Sequence, residues 1–369
     1  MTKVLFLIKA PAAGGAETYL LRFMKHFRDG DYTVFCKGAS GGELESAYKE
    51  VCFLKKDMRL GYYNPFGFWR FYKYLKSENF SAVCDMQGNF SGFALICAKL
   101  AKIPTRIAFY RESKNKHNDS ILKTAYTFVV TKAMLFSATR ILANSKDALN
   151  HFHPGWETNP EKYKVIYNGF DVKYRSQKKR IDVRKQLGLS DNSFVIGHSG
   201  RYSSAKNHKM ILKVAMTMCN LYPDVVFLLM GRDVEEHLLQ EVRQNDMLDK
   251  IKILGHRDDV LDILKCLDLF YFPSITEGQP NALIEAMVSD VPFVASNIPP
   301  IMETTPKACH GMLVDPYNYE ENLDRVKMAY EDIHKYDITK CSEWAIQTFD
   351  ADRLFNEFRK ELNEHTYSN

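Results

Sequence analysis

The sequence lacks the features that mark several large classes of protein. No run of eighteen or more apolar residues occurs, so we expect no transmembrane helix. No internal repeat, low-complexity segment or RNA-binding signature is present. No His/Cys cluster has the spacing of metal ligands, and the one early Asp-x-Asp, at Asp29 and Asp31, has the composition of a turn. We therefore expect no metal, no cofactor and no nucleic-acid partner.

Paired cysteine spacing is also missing. The eight cysteines are scattered along the chain, and several lie inside apolar runs. This pattern predicts buried free thiols in a reducing compartment, and hence a cytoplasmic protein.

The chain has 369 residues, of which 46% are hydrophobic and 26% charged, as expected for a globular protein of two domains.

The charge is distributed unevenly along the chain. Residues 1–160 hold 23 Lys and Arg against 13 Asp and Glu, whereas the remainder holds 27 against 32. The basic first half suggests an anionic partner, such as a membrane face or a phosphorylated acceptor, or else a solvated basic surface with no partner.

Strand-like and helix-like segments alternate in both halves, which predicts parallel sheets wrapped by helices. The fold class is therefore α/β, with two doubly wound domains whose strand ends face a shared cleft. We place the first domain at residues 1–170, the second at 171–345 with a linker at 171–185, and a C-terminal helix at 346–369 that packs toward the first domain. The helical pattern itself runs from Ser342 to Leu362. The predicted strands are Val4–Ile8, Tyr32–Cys36, Phe80–Met86, Arg106–Tyr110, Arg140–Ala143, Phe194–Ser199, Val225–Met230, Ile251–Leu254, Leu269–Phe272 and Phe293–Ser296.

The most informative segment is residues 274–285, which follows the last but one of these strands. Pro280 suits the first position of a helix, and a strand, a small-residue loop and a helix N-terminus form an anion site in that order. Glu277 and Glu285 stand eight residues apart and can accept hydrogen bonds from hydroxyl groups. Phosphate held by backbone donors, beside hydroxyls held by carboxylates, is what a nucleotide sugar requires.

Two further segments offer groups for the same ligand. Gly200 and Arg201 end a predicted strand, and Lys206 lies just beyond them. Arg201 and Lys206 together can hold a diphosphate, although a pair of surface cations is the plainer alternative. Gly14 and Gly15 follow the first strand and permit a close backbone approach, although an ordinary tight turn would look the same.

Taken together these residues resemble the retaining glycosyltransferases of family 4, which have the two-domain GT-B fold. The resemblance is dense over residues 140–315 and thinner before them. Its motifs are the E-x7-E pair Glu277 and Glu285, Gly200-Arg201 with Lys206-Asn207, and the segments 165–171, 254–260 and 311–316.

The resemblance implies a hexosyltransferase (EC 2.4) of surface-polysaccharide biosynthesis, such as lipopolysaccharide, capsule or exopolysaccharide. It would move a sugar from a nucleotide diphosphate to a glycan or lipid-linked acceptor, with retention and without a metal. Arg201, Lys206 and Glu277 would be catalytic. The implied donor-binding residues are Gly15, Gly200, Arg201, Lys206, Gly255, Arg257, Glu277, Gly278, Gln279, Pro280, Asn281 and Glu285.

One departure from the family pattern concerns the first domain. Related chains often carry a histidine where this sequence has Phe109, Tyr110 and Arg111. We assign Arg111 and Gln87 to the acceptor side, and we expect the nearby His117 to be solvated.

Residues 121–136 are apolar with flanking cations. This pattern fits either a buried helix or contact with an anionic bilayer face, so peripheral association with the inner face of the cytoplasmic membrane is one prediction. For the activity, the alternatives are other GT-B chemistry, such as an epimerase or an inverting transferase, and a non-catalytic nucleotide-sugar-binding protein.

Overall fold

The strands of this protein pair into two parallel sheets, one in each of two units. The computed structural model describes residues 2–12, 14–61, 64–112, 121–171, 179–333 and 337–363. Unit 1 comprises residues 1–168 and 352–369, and unit 2 comprises 169–351. The predicted boundaries were 170/171 and 345/346. The chain therefore returns from unit 2 to unit 1 six residues later than the sequence suggested.

Unit 1 contains a seven-stranded sheet in the order β3-β2-β1-β4-β5-β6-β7. Each neighbouring pair is parallel. The central strands are continuous apolar runs because helices cover both faces of such a sheet. The strands are β1 Lys3–Ile8, β2 Asp31–Cys36, β3 Phe53–Lys55, β4 Ala82–Asp85, β5 Thr105–Tyr110, β6 Arg140–Ala143 and β7 Tyr163–Val165.

Two helices of unit 1 begin with a side-chain cap. The Asn64 side chain accepts a hydrogen bond from the Gly67 amide at 2.9 Å, and Pro65 occupies the first turn. Ser145 caps a later helix through the Ala148 amide at 3.2 Å. The helices are α1 Gly15–His26, α2 Glu45–Lys49, α3 Pro65–Ser77, α4 Gly92–Leu100, α5 Ile121–Ser137 and α6 Lys146–Phe152.

The C-terminal helix, Ala351–Asn363, belongs to unit 1 and covers an aromatic face of it. Phe358 is fully buried, with its ring centroid 4.9 Å from that of Phe23, 5.3 Å from that of Phe109 and 5.9 Å from that of Tyr19. The opposite face of the sheet packs on α3, α4 and α5 through a separate cluster that includes Leu5.

Unit 2 repeats this arrangement with six strands in the order β10-β9-β8-β11-β12-β13. The two sheets confirm the predicted fold class of doubly wound, Rossmann-like α/β domains. The strands are β8 Phe194–Ser199, β9 Val225–Met230, β10 Ile251–Gly255, β11 Leu269–Phe272, β12 Phe293–Ser296 and β13 Leu313–Val314. The helices are α7 Arg180–Gln186, α8 His208–Leu221, α9 Val234–Gln244, α10 Val260–Leu264, α11 Asn281–Val288, α12 Pro299–Thr304, α13 Tyr319–Glu331 and α14 Thr339–Thr348; α15 is the C-terminal helix given above.

Several local predictions were wrong. The single helix predicted from Ser342 to Leu362 is two helices, α14 and α15, separated at Phe349 and Asp350. The predicted linker, 171–185, contains the start of α7, and its residues 172–178 lie outside the described part of the chain.

Two of the cysteines, Cys309 and Cys341, lie against each other although they are 32 residues apart in the sequence, and the other six are free. They belong to different elements, so no local spacing indicates that they meet. The reducing compartment stays a prediction.

We expect Phe358→Ala to lower the free energy of unfolding of unit 1 by about 3–5 kcal/mol, because it leaves a cavity among buried rings. Lys360→Ala, on the exposed face of the same helix, should change it by less than about 0.5 kcal/mol. Differential scanning calorimetry of both variants measures the effect. Equal melting temperatures for the two would show that α15 does not stabilise unit 1.

Candidate active site

The candidate site in unit 2 lies at the carboxyl edge of its sheet. The strand order reverses between β8 and β11, which is where doubly wound sheets bind ligands. The loop after β8 carries Arg201 and Lys206, and the loop after β11 carries Glu277. Both loops therefore leave neighbouring parallel strands at the same edge.

An ion pair joins these two loops. The Lys206 Nζ lies 2.6 Å from Glu277 Oε1, and it also stands 4.7 Å from the centre of the Phe272 ring. The Ile275 amide donates to the Ala205 carbonyl at 2.8 Å, which adds a backbone link. The structure thus brings together two residues, Lys206 and Glu277, that the sequence predicts to be catalytic.

Asn207 fixes the geometry of this junction. Its backbone is left-handed, with φ of 58°, and its side-chain amide donates to the carbonyls of Pro273 at 3.1 Å and Pro316 at 2.8 Å. Asn tolerates this conformation better than most residues. In the sequence Asn207 belongs to the motif of Gly200, Arg201 and Lys206, which gives no sign of this structural role.

Three strand ends meet closely beside the loop after β8. The Gly200 amide donates to the Met230 carbonyl at 2.9 Å, and the Gly231 amide donates to the Gly255 carbonyl at 2.7 Å. Gly231 has φ of 152°, and a Cβ there would collide with the Gly200 carbonyl. Gly200 and Gly255 were predicted to be at the site. Gly231 was missed, although a glycine directly after a buried strand was a usable signal.

The predicted cations differ in their availability. Arg257 forms a two-point ion pair with Asp259, with distances of 2.7 and 2.6 Å, and this hydrogen bonding raises the pKa of Arg257. Lys206 is paired with Glu277. Arg201 is exposed, and within the described part of the chain it forms no ion pair. Arg201 is therefore the cation most accessible to an incoming anion.

The second glutamate lies on α11. This helix begins at Asn281, so Pro280 occupies the N-cap rather than the predicted first helical position. Gln279 is buried, and its carbonyl accepts from the Asn281 amide at 2.9 Å. Gly278 lies between Glu277 and this turn, and Glu285 is half-buried within the helix.

Buried imidazoles adjoin the loop after β8, and sequence analysis assigned them no function. The His198 Nδ1 lies 3.0 Å from the Tyr271 carbonyl, and its ring packs on that of His208 at 5.2 Å. Burial lowers the pKa of His198 well below its usual value and that of His208 to about 4. Both are therefore neutral at physiological pH, so they add no cation to the site.

In unit 1, α1 begins at Gly15, and apart from its chain neighbours and the backbone of its own helix, no atom of the described residues lies within 4 Å of where a Cβ on Gly15 would stand. The backbone is therefore open to a close approach. Glu17, in the first turn, folds its carboxylate toward Gly14, and burial raises the pKa of Glu17.

Arg111 follows β5 and is enclosed by aromatic rings. Its guanidinium stands 4.0 Å from the Tyr19 ring centre and 4.9 Å from that of Phe109, and Nη2 donates to Asn168. The buried Nε and Nη1 atoms have no hydrogen-bond partner among the described residues. Burial lowers the pKa of Arg111 to about 10, which leaves it charged at neutral pH.

The remaining predicted features are quickly placed. Gln87 lies just after β4 and lines a cavity of unit 1. His117 lies outside the described residues. In the described part of the chain, no three His, Cys, Asp or Glu side chains are grouped to hold a metal ion. Among the described helices, none combines the length and the apolar composition that crossing a membrane requires.

Comparisons with known proteins match both halves of the chain. The model of Glycosyltransferase Family 4 matches residues 13–174, and that of Glycosyl transferases group 1 matches 179–341. The capsular polysaccharide biosynthesis glycosyltransferase CapH of Staphylococcus aureus is 27% identical over 305 residues, which are 81% of this chain and 82% of CapH.

Two further likenesses extend this result. The UDP-Gal:alpha-D-GlcNAc-diphosphoundecaprenol alpha-1,3-galactosyltransferase of Escherichia coli is 25% identical over 311 residues, covering 71% of this chain and 78% of that enzyme. The crystal structure of Anabaena HepE in complex with UDP has a TM-score of 0.83 at 23% identity, covering 98% of this chain and 100% of HepE. The likeness to HepE shows the same fold.

We expect Asn207→Ala to lower the free energy of unfolding by about 2–4 kcal/mol, because it strains a left-handed position and removes two hydrogen bonds. Asn207→Gly keeps the backbone conformation and should lose about 1 kcal/mol less. Urea denaturation of both variants separates the two contributions. A Gly variant no more stable than the Ala variant would rule out backbone strain as a factor.

Proposed function

Since the chain belongs to glycosyltransferase family 4, we propose that it transfers a hexose from a nucleotide-diphosphate sugar to a glycan or lipid-linked acceptor, with retention of anomeric configuration. It is a glycosyltransferase (EC 2.4) of surface-polysaccharide biosynthesis, and the donor, the acceptor class and the stereochemistry are the proposal.

The ion pair between Lys206 and Glu277 carries the proposal. It places a cation 2.6 Å from a carboxylate that can accept hydrogen bonds from hydroxyl groups. Both lie at the carboxyl edge of the sheet, between β8 and β11. A nucleotide sugar needs these two groups side by side, because its diphosphate is bonded directly to the hydroxyl-bearing sugar. Glu285, on α11, would accept hydrogen bonds from the ribose hydroxyls at the other end of the donor.

The chemistry follows from the charges. As the bond between the anomeric carbon and the diphosphate breaks, negative charge grows on the leaving oxygen, where Lys206 and Arg201 stabilise it. The acceptor hydroxyl attacks on the same face of the sugar, and the departing phosphate takes its proton. Glu277 holds sugar hydroxyls rather than acting as a covalent nucleophile. Two cations serve the diphosphate without a metal, so transfer should persist in EDTA.

Arg111 would bind an anionic or hydroxyl-bearing group from unit 1. Buried guanidinium nitrogens without partners are rare, and a ligand oxygen would satisfy Nε and Nη1. In this proposal Arg111 takes the place of the histidine that related chains carry near this position. Its neighbour Phe109 is fully buried beneath α15 and is not available to a ligand.

Other chemistry on the same fold gives different products. An inverting transferase would give the opposite anomer, and an epimerase would change the sugar without an acceptor. Proton NMR of the product formed from UDP-, GDP- or ADP-sugars distinguishes these outcomes. A non-catalytic binding protein would give no product, so turnover with retention excludes all three alternatives.

We expect Lys206→Ala to lower kcat/KM about a hundredfold to a thousandfold, because it removes a cation that stabilises the leaving diphosphate. Glu285→Ala should chiefly raise the donor KM, by about tenfold. Lys209→Ala, on the exposed surface of α8, is the matched control and should retain full activity. Circular dichroism checks that each variant is folded, and normal turnover by folded Lys206→Ala would contradict the assignment.

Peripheral contact with an anionic membrane is the second part of the proposal. On α3, Phe66 and Trp69 are 65% and 51% exposed, their rings stack at 5.9 Å, and the Lys73 ammonium stands 4.1 Å from the Trp69 ring centre. On α5, Phe128 and Phe136 are also exposed. Exposed aromatic rings beside lysines suit the interface of a bilayer that carries anionic lipids. The sequence pattern predicted bilayer contact for α5 but not for α3.

We expect the protein to co-sediment with vesicles containing about 30% phosphatidylserine more than with neutral vesicles, and less as salt rises. The double variant Phe66→Ser, Trp69→Ser should bind vesicles more weakly. Leu248→Ser, an exposed apolar side chain of unit 2, is the matched control. Equal binding by the double variant and the control would exclude α3 from membrane contact.

A further inference from the structure

Unit 1 contains a cavity of about 150 Å³ that the proposed chemistry does not use. This volume admits several groups the size of a water molecule, which occupies about 30 Å³ in the liquid. Of the residues predicted for the site, Gln87 is the one that lines it. The cavity lies beyond the ends of β1, β2 and β4, where the strand order of the sheet reverses. Ligands bind at this position in doubly wound sheets.

One wall of the cavity is cationic. The Lys37 Nζ lies 2.7 Å from the fully buried Asp85 carboxylate and donates to the Phe90 carbonyl at 3.3 Å. Asp85 therefore offsets the charge of Lys37. Lys9 and Arg59 are exposed at the same cavity, and among the described residues neither side chain has a carboxylate partner in an ion pair. The wall thus carries two exposed cations, and Glu17 acts on Lys9 only at a distance, without an ion pair.

The other wall is aromatic. The Phe68 and Phe93 ring centroids are 5.6 Å apart, and the Tyr126 ring lies 6.2 Å from that of Phe93. These rings come from α3, α4 and α5, which pack on one another. Phe66 and Trp69 are exposed on the same helix as Phe68, and their rings stack on each other. A ligand that fits both walls has an anionic head and an apolar chain.

We propose that this cavity binds the phosphate or diphosphate of a lipid-linked acceptor, with its oxygens on Lys9 and Arg59. The first part of the lipid chain lies along Phe68 and Phe93 and leaves over the exposed face of α3. This assignment rests on the proposed transfer to a lipid-linked acceptor and specifies the part of the acceptor that is recognised. A soluble phosphorylated glycan would use the cations but not the aromatic wall.

Binding of small probes tests the cavity apart from catalysis. The full-length Lys206→Ala variant is the background, because it weakens the diphosphate site of unit 2. Isothermal titration calorimetry should detect farnesyl diphosphate binding, weaker binding of inorganic pyrophosphate and none of farnesol. Failure of farnesyl diphosphate to bind would overturn the proposal. Equal affinities for farnesyl diphosphate and pyrophosphate would overturn the lipid part and indicate a free phosphate source.

Variants locate the binding. Lys9→Ala and Arg59→Ala, in the same background, should each weaken farnesyl diphosphate binding about tenfold. Lys76→Ala, an exposed lysine near the end of α3, should leave it unchanged. An unchanged affinity in the Lys9, Arg59 double variant would overturn the assignment.

Kinetics then separate this inference from the proposed function. In otherwise unmodified enzyme, the Lys9, Arg59 double variant should raise the KM for a lipid-diphosphate acceptor at least about tenfold, with donor hydrolysis unchanged. An unchanged acceptor KM would overturn the cavity assignment while transfer itself stands. If the unmodified enzyme transfers no sugar, the proposed function fails whatever the probes show.

Discussion

Parallel strands all end at the same edge of their sheet, and this constraint decides where polar groups can gather in both units. The strands themselves are buried on both faces; in β11, for example, all four residues are inaccessible. The charged side chains of these sites therefore lie at the ends of the strands or in the loops that follow them. Lys206 and Glu277 meet in unit 2 for this reason, and Lys9, Lys37 and Asp85 meet in unit 1 for the same reason.

The ten predicted strands were recognisable because each is an apolar run bounded by turn residues. The three missed strands, β3, β7 and β13, have only two or three residues each. Two of them, β3 and β7, are half-exposed at the two edges of the unit 1 sheet. Such short segments carry too little pattern to be seen. The break between α14 and α15 was missed because the helical pattern continues through Phe349, which turns inward to be buried.

The residues of the candidate site were recognisable where they belong to local motifs, and their pairing was not, because it arises only through folding. Glu277, Lys206 and Arg201 lie in recognisable segments, but the direct pairing of Lys206 with Glu277 spans 71 residues and has no local signal. Lys9, Lys37 and Arg59 come from three separate loops. The ion pair has a further consequence. An anion that binds Lys206 must also make up for the interaction that the Glu277 carboxylate loses. Inorganic phosphate brings its whole negative charge close to that carboxylate, whereas a nucleotide sugar also brings neutral sugar hydroxyls that donate to it.

The placement of α15 affects how the chain folds as it is made. Ribosomes synthesise about 5–20 residues per second, and domains generally fold from the N-terminus as they emerge. Unit 1 cannot follow that order, since Phe355 and Phe358 cover Phe23 and are made after the whole of unit 2. Phe6, Phe23 and Phe109 thus lack their cover for roughly 10–40 seconds in the nascent protein. Unit 2, formed by one continuous stretch of chain, can be completed first, and unit 1 is completed last.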